Sequence, residues 1–219
     1  MSQEDTKNTF DAIAPSWYNF RHRTIFKNEL EDLALRWKSG RLLNVGCAHG
    51  PDFLPFKSSF ELYGIDFSPA MLENARRYAE KYSFSVSLVE ADARSLPYPD
   101  ASFDFAIAVA VYHHIEESEG RLKALHELYR VLKPGGEAFL TVWNKWQPRF
   151  WLKPKNTRVP WRSQDKILHR YYYLYSYREL EKTARQAGFE ILKSSPESSY
   201  RFPLKTFSRN ICLLVRKNK

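Results

Sequence analysis

The chain is 219 residues long, enough for one domain with a sizeable core, and no apolar run approaches the ~18–20 residues of a membrane-spanning helix. Its two cysteines, Cys47 and Cys212, exclude a disulfide framework and an internal zinc site and point to a reducing compartment, by default the cytoplasm; Met1 to Asp5 show no secretory-signal pattern. The formal charge of +9 suits a nucleic-acid partner, an anionic membrane surface or only a well-solvated exterior, and the distribution of the cations has to decide among these.

Residues 4–38 read as helical. Phe10, Ile13, Ala14, Trp17 and Tyr18 share one helix face, Pro15 is expected to break or kink it, and Leu30, Leu33, Ala34 and Trp37 repeat the pattern before Gly40. Leu42 to Val45 is a short buried strand, and small residues follow it at alternate positions: Gly46, Ala48 and Gly50. Such a loop lets backbone lie against a ligand, and Pro51 then suits a first helical position. A second strand, Phe60 to Ile65, ends at Asp66; Ser68 caps and Pro69 opens a helix to about Tyr82. Phe84 to Val89 alternates as a half-buried strand, and Asp92 lies just beyond it.

Phe103 to Val111 is nearly continuous apolar sequence, as expected of a central parallel strand. A helix from about Glu117 to Leu132 is ended by Lys133-Pro134-Gly135-Gly136, and Ala138 to Trp143 is the next strand. Residues 144–175 have no clean period. Tyr177 to Ala187 is helical, and Phe189 to Leu192 and Asn210 to Val215 are strands. The alternation predicts one α/β domain over 1–219: a Rossmann-like, doubly wound, seven-stranded and mostly parallel sheet with an antiparallel edge strand. N-terminal helices fill 1–40, a cofactor-binding core 41–143, a basic aromatic insertion 144–175, and a C-terminal helix and strands 176–219.

Strand, small-residue loop and helix form the first half of a nucleotide-binding βαβ unit. Asp66, at the end of the second strand, is placed to accept from ribose hydroxyls, or is only a helix cap; Asp92 could accept from an adenine amino group, or is a solvated loop acid. A dinucleotide fingerprint would need a small residue at 51, where this chain has proline.

Five segments stand in order: Asn44 to Gly50, Gly64 to Leu72, Ala91 to Pro97, Phe103-Asp104 and Val131 to Gly136. In this they resemble the class I S-adenosylmethionine-dependent methyltransferases over roughly residues 40–143. Two positions depart from that pattern, Asn44 for an acid and Ala48 for a glycine. The resemblance implies S-adenosylmethionine as cofactor. It places Asn44, Gly46, Cys47, Ala48 and Gly50 about the methionine moiety, Asp66 on the ribose, and Phe67, Asp92, Ala93 and Val109 about the rest of the pocket.

Methyl transfer depends on the acceptor. The fourth strand ends in Ala110-Val111-Tyr112-His113-His114, which lacks the polar clamp expected for an exocyclic amine, and neither cysteine is placed for carbon methylation. A carboxylate suits the chain better: ionised near pH 4, it needs positioning more than a strong base. Arg21, His113, His114, Arg170, Tyr171 and Tyr172 are candidates for that, with Arg21, His114, Arg170 and Tyr171 preferred; packing under the fourth strand is the plainer reading of the histidines.

Between Trp143 and Tyr175, eight cations (Lys145, Arg149, Lys153, Lys155, Arg158, Arg162, Lys166 and Arg170) face one acid, Asp165, amid many aromatics. Cations with interleaved rings suit single-stranded RNA, whereas a loop packed on the sheet would be the structural alternative. Phe10 to Pro15, His113-His114, Val159-Pro160-Trp161, His169 to Tyr175 with Glu179-Leu180-Glu181, and Ser208-Arg209-Asn210 then resemble the methyltransferases that esterify 5-carboxymethyluridine at the tRNA wobble position, including the AlkB-homologue methyltransferase domain. That implies tRNA as substrate, with Lys153, Lys155, Arg158, Arg162 and Arg209 on it. It also implies a small zinc-binding activator protein on the third-strand edge, with no metal in this chain. The competing readings are a small-molecule methyltransferase acting on a quinone precursor or carboxylic acid, and a non-catalytic RNA-binding protein on the same fold.

Overall fold

The computed structural model describes residues 3–20, 22–163 and 166–219. A seven-stranded sheet organises the chain, in the order β3-β2-β1-β4-β5-β9-β8. Its strands are β1 (Gly40–Val45), β2 (Phe60–Asp66), β3 (Ser87–Glu90), β4 (Phe103–Val109), β5 (Leu132–Trp143), β8 (Phe189–Pro196) and β9 (Asn210–Lys217). The first five are parallel, while β9 runs antiparallel to both β5 and β8, so the antiparallel pairing lies toward one edge as expected. The sheet is flanked by α2 (Lys27–Trp37), α3 (Pro69–Tyr82), α4 (Ser118–Val131) and α5 (Tyr177–Gln186). Two buried clusters, one on each face, close on β1 and β4: Leu43, Ala106 and Leu128 belong to one, Leu42, Ile107 and Trp37 to the other. Successive strand residues point to opposite faces, which is why consecutive leucines serve both.

Several boundaries move. The helix α1 (Gln3–Phe20) continues through Pro15. The Ser16 hydroxyl donates to the Ile13 carbonyl and the Asn74 amide donates to the Ala14 carbonyl, so side chains hold the backbone just before the proline. The third strand is shorter than its alternation suggested, beginning only at Ser87, because Phe84 and Val86 pack beneath it against the core on the α2 side. Lys133-Pro134-Gly135-Gly136 ends α4 as expected but already belongs to β5. Its lysine donates to Asp104 Oδ1 at 2.7 Å, and a Cβ on Gly136 would lie 2.9 Å from the Asp104 carbonyl. These two motifs therefore brace the N-terminal end of β4, far along the strand from its functional end.

The segment without a period contains a hairpin of its own, β6 (Asn156–Ser163) paired with β7 (Lys166–Tyr173). It is tied to the sheet where Tyr175 N donates to the Trp143 carbonyl, and Lys145 N to that of Tyr175. Alternation on β6 turns Val159 and Trp161 inward and leaves Arg158 and Arg162 exposed. No helix among the described residues is long and apolar enough to cross a membrane.

Candidate cofactor and acceptor pocket

All the parallel strands end on one side, and there the loops after β1, β2, β4 and β5 surround a cavity of about 360 Å³. That volume suits a small cofactor or substrate. The roof is α1 with the hairpin: Ile13, Ala14 and Met71 are buried together, with Phe10, Trp17 and Trp161 packed on them.

The β1 loop is shaped by its small residues. Gly46, Ala48 and Gly50 have φ of +66°, +48° and +89°. A Cβ on Gly46 would come within 2.6 Å of Val111 Cγ2, so only glycine passes beneath the loop after β4. Ala48 takes a left-handed conformation that costs an L-residue roughly 1 kcal/mol. Asp66 is buried, its Oδ2 accepting from Ala48 N and its Oδ1 from Ser68 N, both at 2.9 Å. Burial outweighs those hydrogen bonds, and Asp11 adds to it, so the carboxyl is pushed up to about 6. A carboxylate offers about four lone-pair sites, which leaves Asp66 capacity for ribose hydroxyls.

The pocket gathers Gly46, Cys47, Ala48, Asp66, Phe67, Asp92, Ala93, Val109, His114 and Arg170. Asp92 does not stand free for an adenine amino group: Arg94, two residues on, grips both its oxygens from Nε and Nη2 and donates its backbone N–H as well. Gly50 and Asn44 lie behind the lining. Asn44 is fully buried, and neither end of its amide finds a hydrogen-bond partner among the described residues.

On the acceptor side, the turn after β4 presents His113 and His114. His113 is buried and its Nδ1 accepts the Trp143 backbone N–H at 3.1 Å, which places its proton on Nε2, an atom without a partner among the described residues. Burial, with His114 and Arg170 nearby, holds His113 well below the usual imidazole range. His114 has the opposite tautomer: Nδ1 donates to the Tyr171 carbonyl at 2.8 Å, and burial brings its pKa down to about 3. A neutral donor and a neutral acceptor thus sit side by side.

Arg170 is buried on β7 with its guanidinium 5.4 Å from the Trp17 ring, 4.9 Å from Trp161 and 5.3 Å from Tyr172. Three ring faces favour the cation where water is scarce. The preference for Tyr171 does not hold. The side-chain alternation of β7 turns it away from the cavity, where its hydroxyl donates to Asn156 Oδ1 at 2.6 Å, and Tyr172 takes the lining position. Arg21 lies outside the described residues.

Of the cations assigned to RNA, Lys153, Arg158, Arg162 and Arg209 are exposed, while Lys155 is bound to Glu179 at 2.9 Å. Trp17, Arg94, His113, Trp143, Arg149, Trp161 and Tyr172 line the pocket as well. Arg94 was legible only as part of a motif, and the Arg170 box depends on a hairpin that the sequence concealed. No group of three or more His, Cys, Asp or Glu side chains among the described residues could hold a metal ion.

The "Methyltransferase domain" family matches residues 43–140. A chain of Encephalitozoon cuniculi named "Putative methyltransferase" is 32% identical over 171 residues, covering 74% of this chain and 75% of its own. Demethylmenaquinone methyltransferase of Thermus thermophilus is 37% identical over 137 residues, covering 58% of this chain and 60% of its own. The tRNA (carboxymethyluridine(34)-5-O)-methyltransferase of Arabidopsis thaliana is 34% identical over 136 residues, covering 61% of this chain and 31% of its own. The chain therefore spans less than two thirds of the length of either of the last two proteins. Among solved structures, an S-adenosylmethionine-dependent methyltransferase from Clostridium acetobutylicum superposes with a TM-score of 0.73 at 14% identity, covering 89% of this chain and 91% of that one.

Proposed function

The chain belongs to the S-adenosylmethionine-dependent methyltransferases, and we propose that its acceptor is the carboxylate of 5-carboxymethyluridine at the wobble position of tRNA. The observation that carries this reading is the buried Arg170 in its three-ring box, on the wall of the same cavity as His114. A buried cation can orient an anion, and a quinone ring would not require one. The names of relatives about 30% identical support the same acceptor.

The residues fit the methyl donor. Gly46 gives close backbone approach, Asp66 would take the ribose hydroxyls, Phe67 and Ala93 would flank the adenine, and Val109 and Val111 would wall the sulfonium side. When bound, the donor supplies an electrophilic methyl group for an in-line displacement. Arg170 holds the acceptor carboxylate without protonating it, since a guanidinium stays charged, and the neutral His113 behind it adds no competing charge. His114 Nε2 can accept one hydrogen bond from an N–H or O–H of the acceptor nucleoside, though not from its carboxylate. The roof of α1 and hairpin excludes water, which strengthens each of these contacts. Lys153, Arg158, Arg162 and Arg209 then meet the phosphates of the surrounding loop.

The test is methyl-ester formation in tRNA carrying carboxymethyluridine, read by nucleoside mass spectrometry, with and without a small zinc-binding activator able to pair with the β3 edge. Ester is expected with wild type; none in either arm overturns the proposal. The second reading, a small-molecule acceptor, is favoured by the enclosed cavity and the quinone-methylating relative. It predicts that charge reversal at Lys153 and Arg158 leaves turnover unchanged.

A further inference from the structure

A second concavity, of about 620 Å³, lies on the same side of the molecule as the acceptor pocket, between the turn at Pro148–Trp151 and the loop at 197–209. Its rings are open. Trp151 is 52% exposed and Phe202 58%, and Phe207 stands between them with its centroid 5.6 Å from one and 6.3 Å from the other. The Trp151 and Phe202 planes are tilted by 58° and 56° to that of Phe207, so neither is stacked on it in parallel. Contiguous exposed rings of this size are uncommon unless something covers them.

The charge is one-sided. Arg201 and Arg209 line the groove and are exposed. Its single acid, Glu197, is buried and turned inward, its oxygens accepting from the backbone N–H groups of Arg209 and Asn210. The groove also adjoins the pocket residue by residue: Arg149 lines the pocket while Pro148 and Trp151 line the groove, and Asn210 lines the pocket while Arg209 lines the groove.

We propose that this groove holds an unpaired nucleotide of the RNA next to the methyl acceptor, with its base on Trp151 and Phe202 and its phosphate on Arg201 and Arg209. Arg201 already donates to the Ser198 carbonyl, but neither guanidinium of the groove is paired with an acid among the described residues. Open rings beside them match a base and its phosphate, and a purely apolar peptide would leave both charges uncompensated. A strand entering the pocket has to pass the boundary that the two cavities share. The inference rests on the tRNA reading but concerns residues outside the chemistry.

The experiment is equilibrium binding of a fluorescent RNA stem–loop with an unpaired loop, against a fully paired duplex of the same stem, without turnover. Wild type is expected to prefer the stem–loop. Trp151→Ala and Phe202→Ala each weaken it about tenfold or more, by loss of one stacked base. Phe202→Tyr retains affinity, Arg201→Gln and Arg209→Gln flatten its salt dependence, and calorimetric affinity for S-adenosylmethionine is unchanged in all of them. Wild-type affinity in both alanine variants overturns the groove, and so does equal binding of stem–loop and duplex. Ester formation is read separately, so a groove that binds RNA in a protein that forms no ester leaves this inference standing and removes the carboxymethyluridine reading.

Discussion

Asp66 shows how one side chain can serve structure and ligand together. Its oxygens already fasten the loop after β1 to the start of α3, and burial lifts its pKa to about 6. Ribose hydroxyls need the ionised form, so affinity for S-adenosylmethionine falls as the pH drops through about 6, by up to roughly tenfold per unit below it. In the ligand-free chain the contribution of Asp66 itself runs the other way: an acid whose pKa is raised on folding binds its proton more tightly in the native state, so this contribution to stability rises as the pH falls from about 6 toward ~4. Calorimetric titration across that range reads the first trend, and the pH dependence of the difference in thermal unfolding between wild type and Asp66→Asn isolates the second; the substitution should abolish the first. His113 and His114, held neutral by burial, act in the opposite sense: their folded pKa values lie below the unfolded imidazole value of about 6.5, so the stability they contribute is present above that pH and is lost as the pH falls below it.

At the scale of the element, the β6–β7 hairpin decides which rings and cations serve the pocket. Strand alternation sends Arg170 and Tyr172 inward and Tyr171 outward, although the three are consecutive. Arg170→Met keeps much of the contact with Trp17 and Trp161 but removes the charge, and kcat/KM for the carboxylate acceptor should fall about a hundredfold or more. Tyr171→Phe loses one hydroxyl bond to Asn156 and should lower stability by about 1 kcal/mol in urea unfolding, with turnover within about twofold of wild type. Equal losses of turnover in the two variants would contradict this placement. The seven-strand core was readable because each strand or helix carries its own period and punctuation, as Ser68-Pro69 does for α3. The hairpin was not, because inward Val159 and Trp161 are separated by Pro160 and flanked by cations, a pattern that resembles solvated loop.

Across the whole molecule, the end of the sheet opposite the pocket is fastened by Glu137. It receives two hydrogen bonds from Arg36, at 2.9 and 2.8 Å, and one each from Trp37 and Arg216, joining α2 to β5 and β9. Burial opposes its charge, but these donors prevail and hold the carboxyl down at about 2. With the folded pKa below the unfolded value of about 4.3, the stabilisation is fully present above that pH and is lost as pH falls from about 4.3 toward 2. Glu137→Gln should cost about 1–3 kcal/mol at pH 7, and much less at pH 3, in urea denaturation.

The sequence by itself determined the sheet, the small-residue loop and the acid after the second strand, since each follows from a short run of residues: apolar periodicity, φ that only small residues tolerate, and a strand end. Tertiary structure alone decided which histidine nitrogen keeps its proton, that Tyr172 and not Tyr171 faces the cavity, and that Trp17, Trp161 and Arg170 meet. The histidine bonds reach partners 30 and 57 residues away and the ring box joins segments more than a hundred apart, and a local pattern carries no record of which distant backbone group or ring will lie against a given side chain.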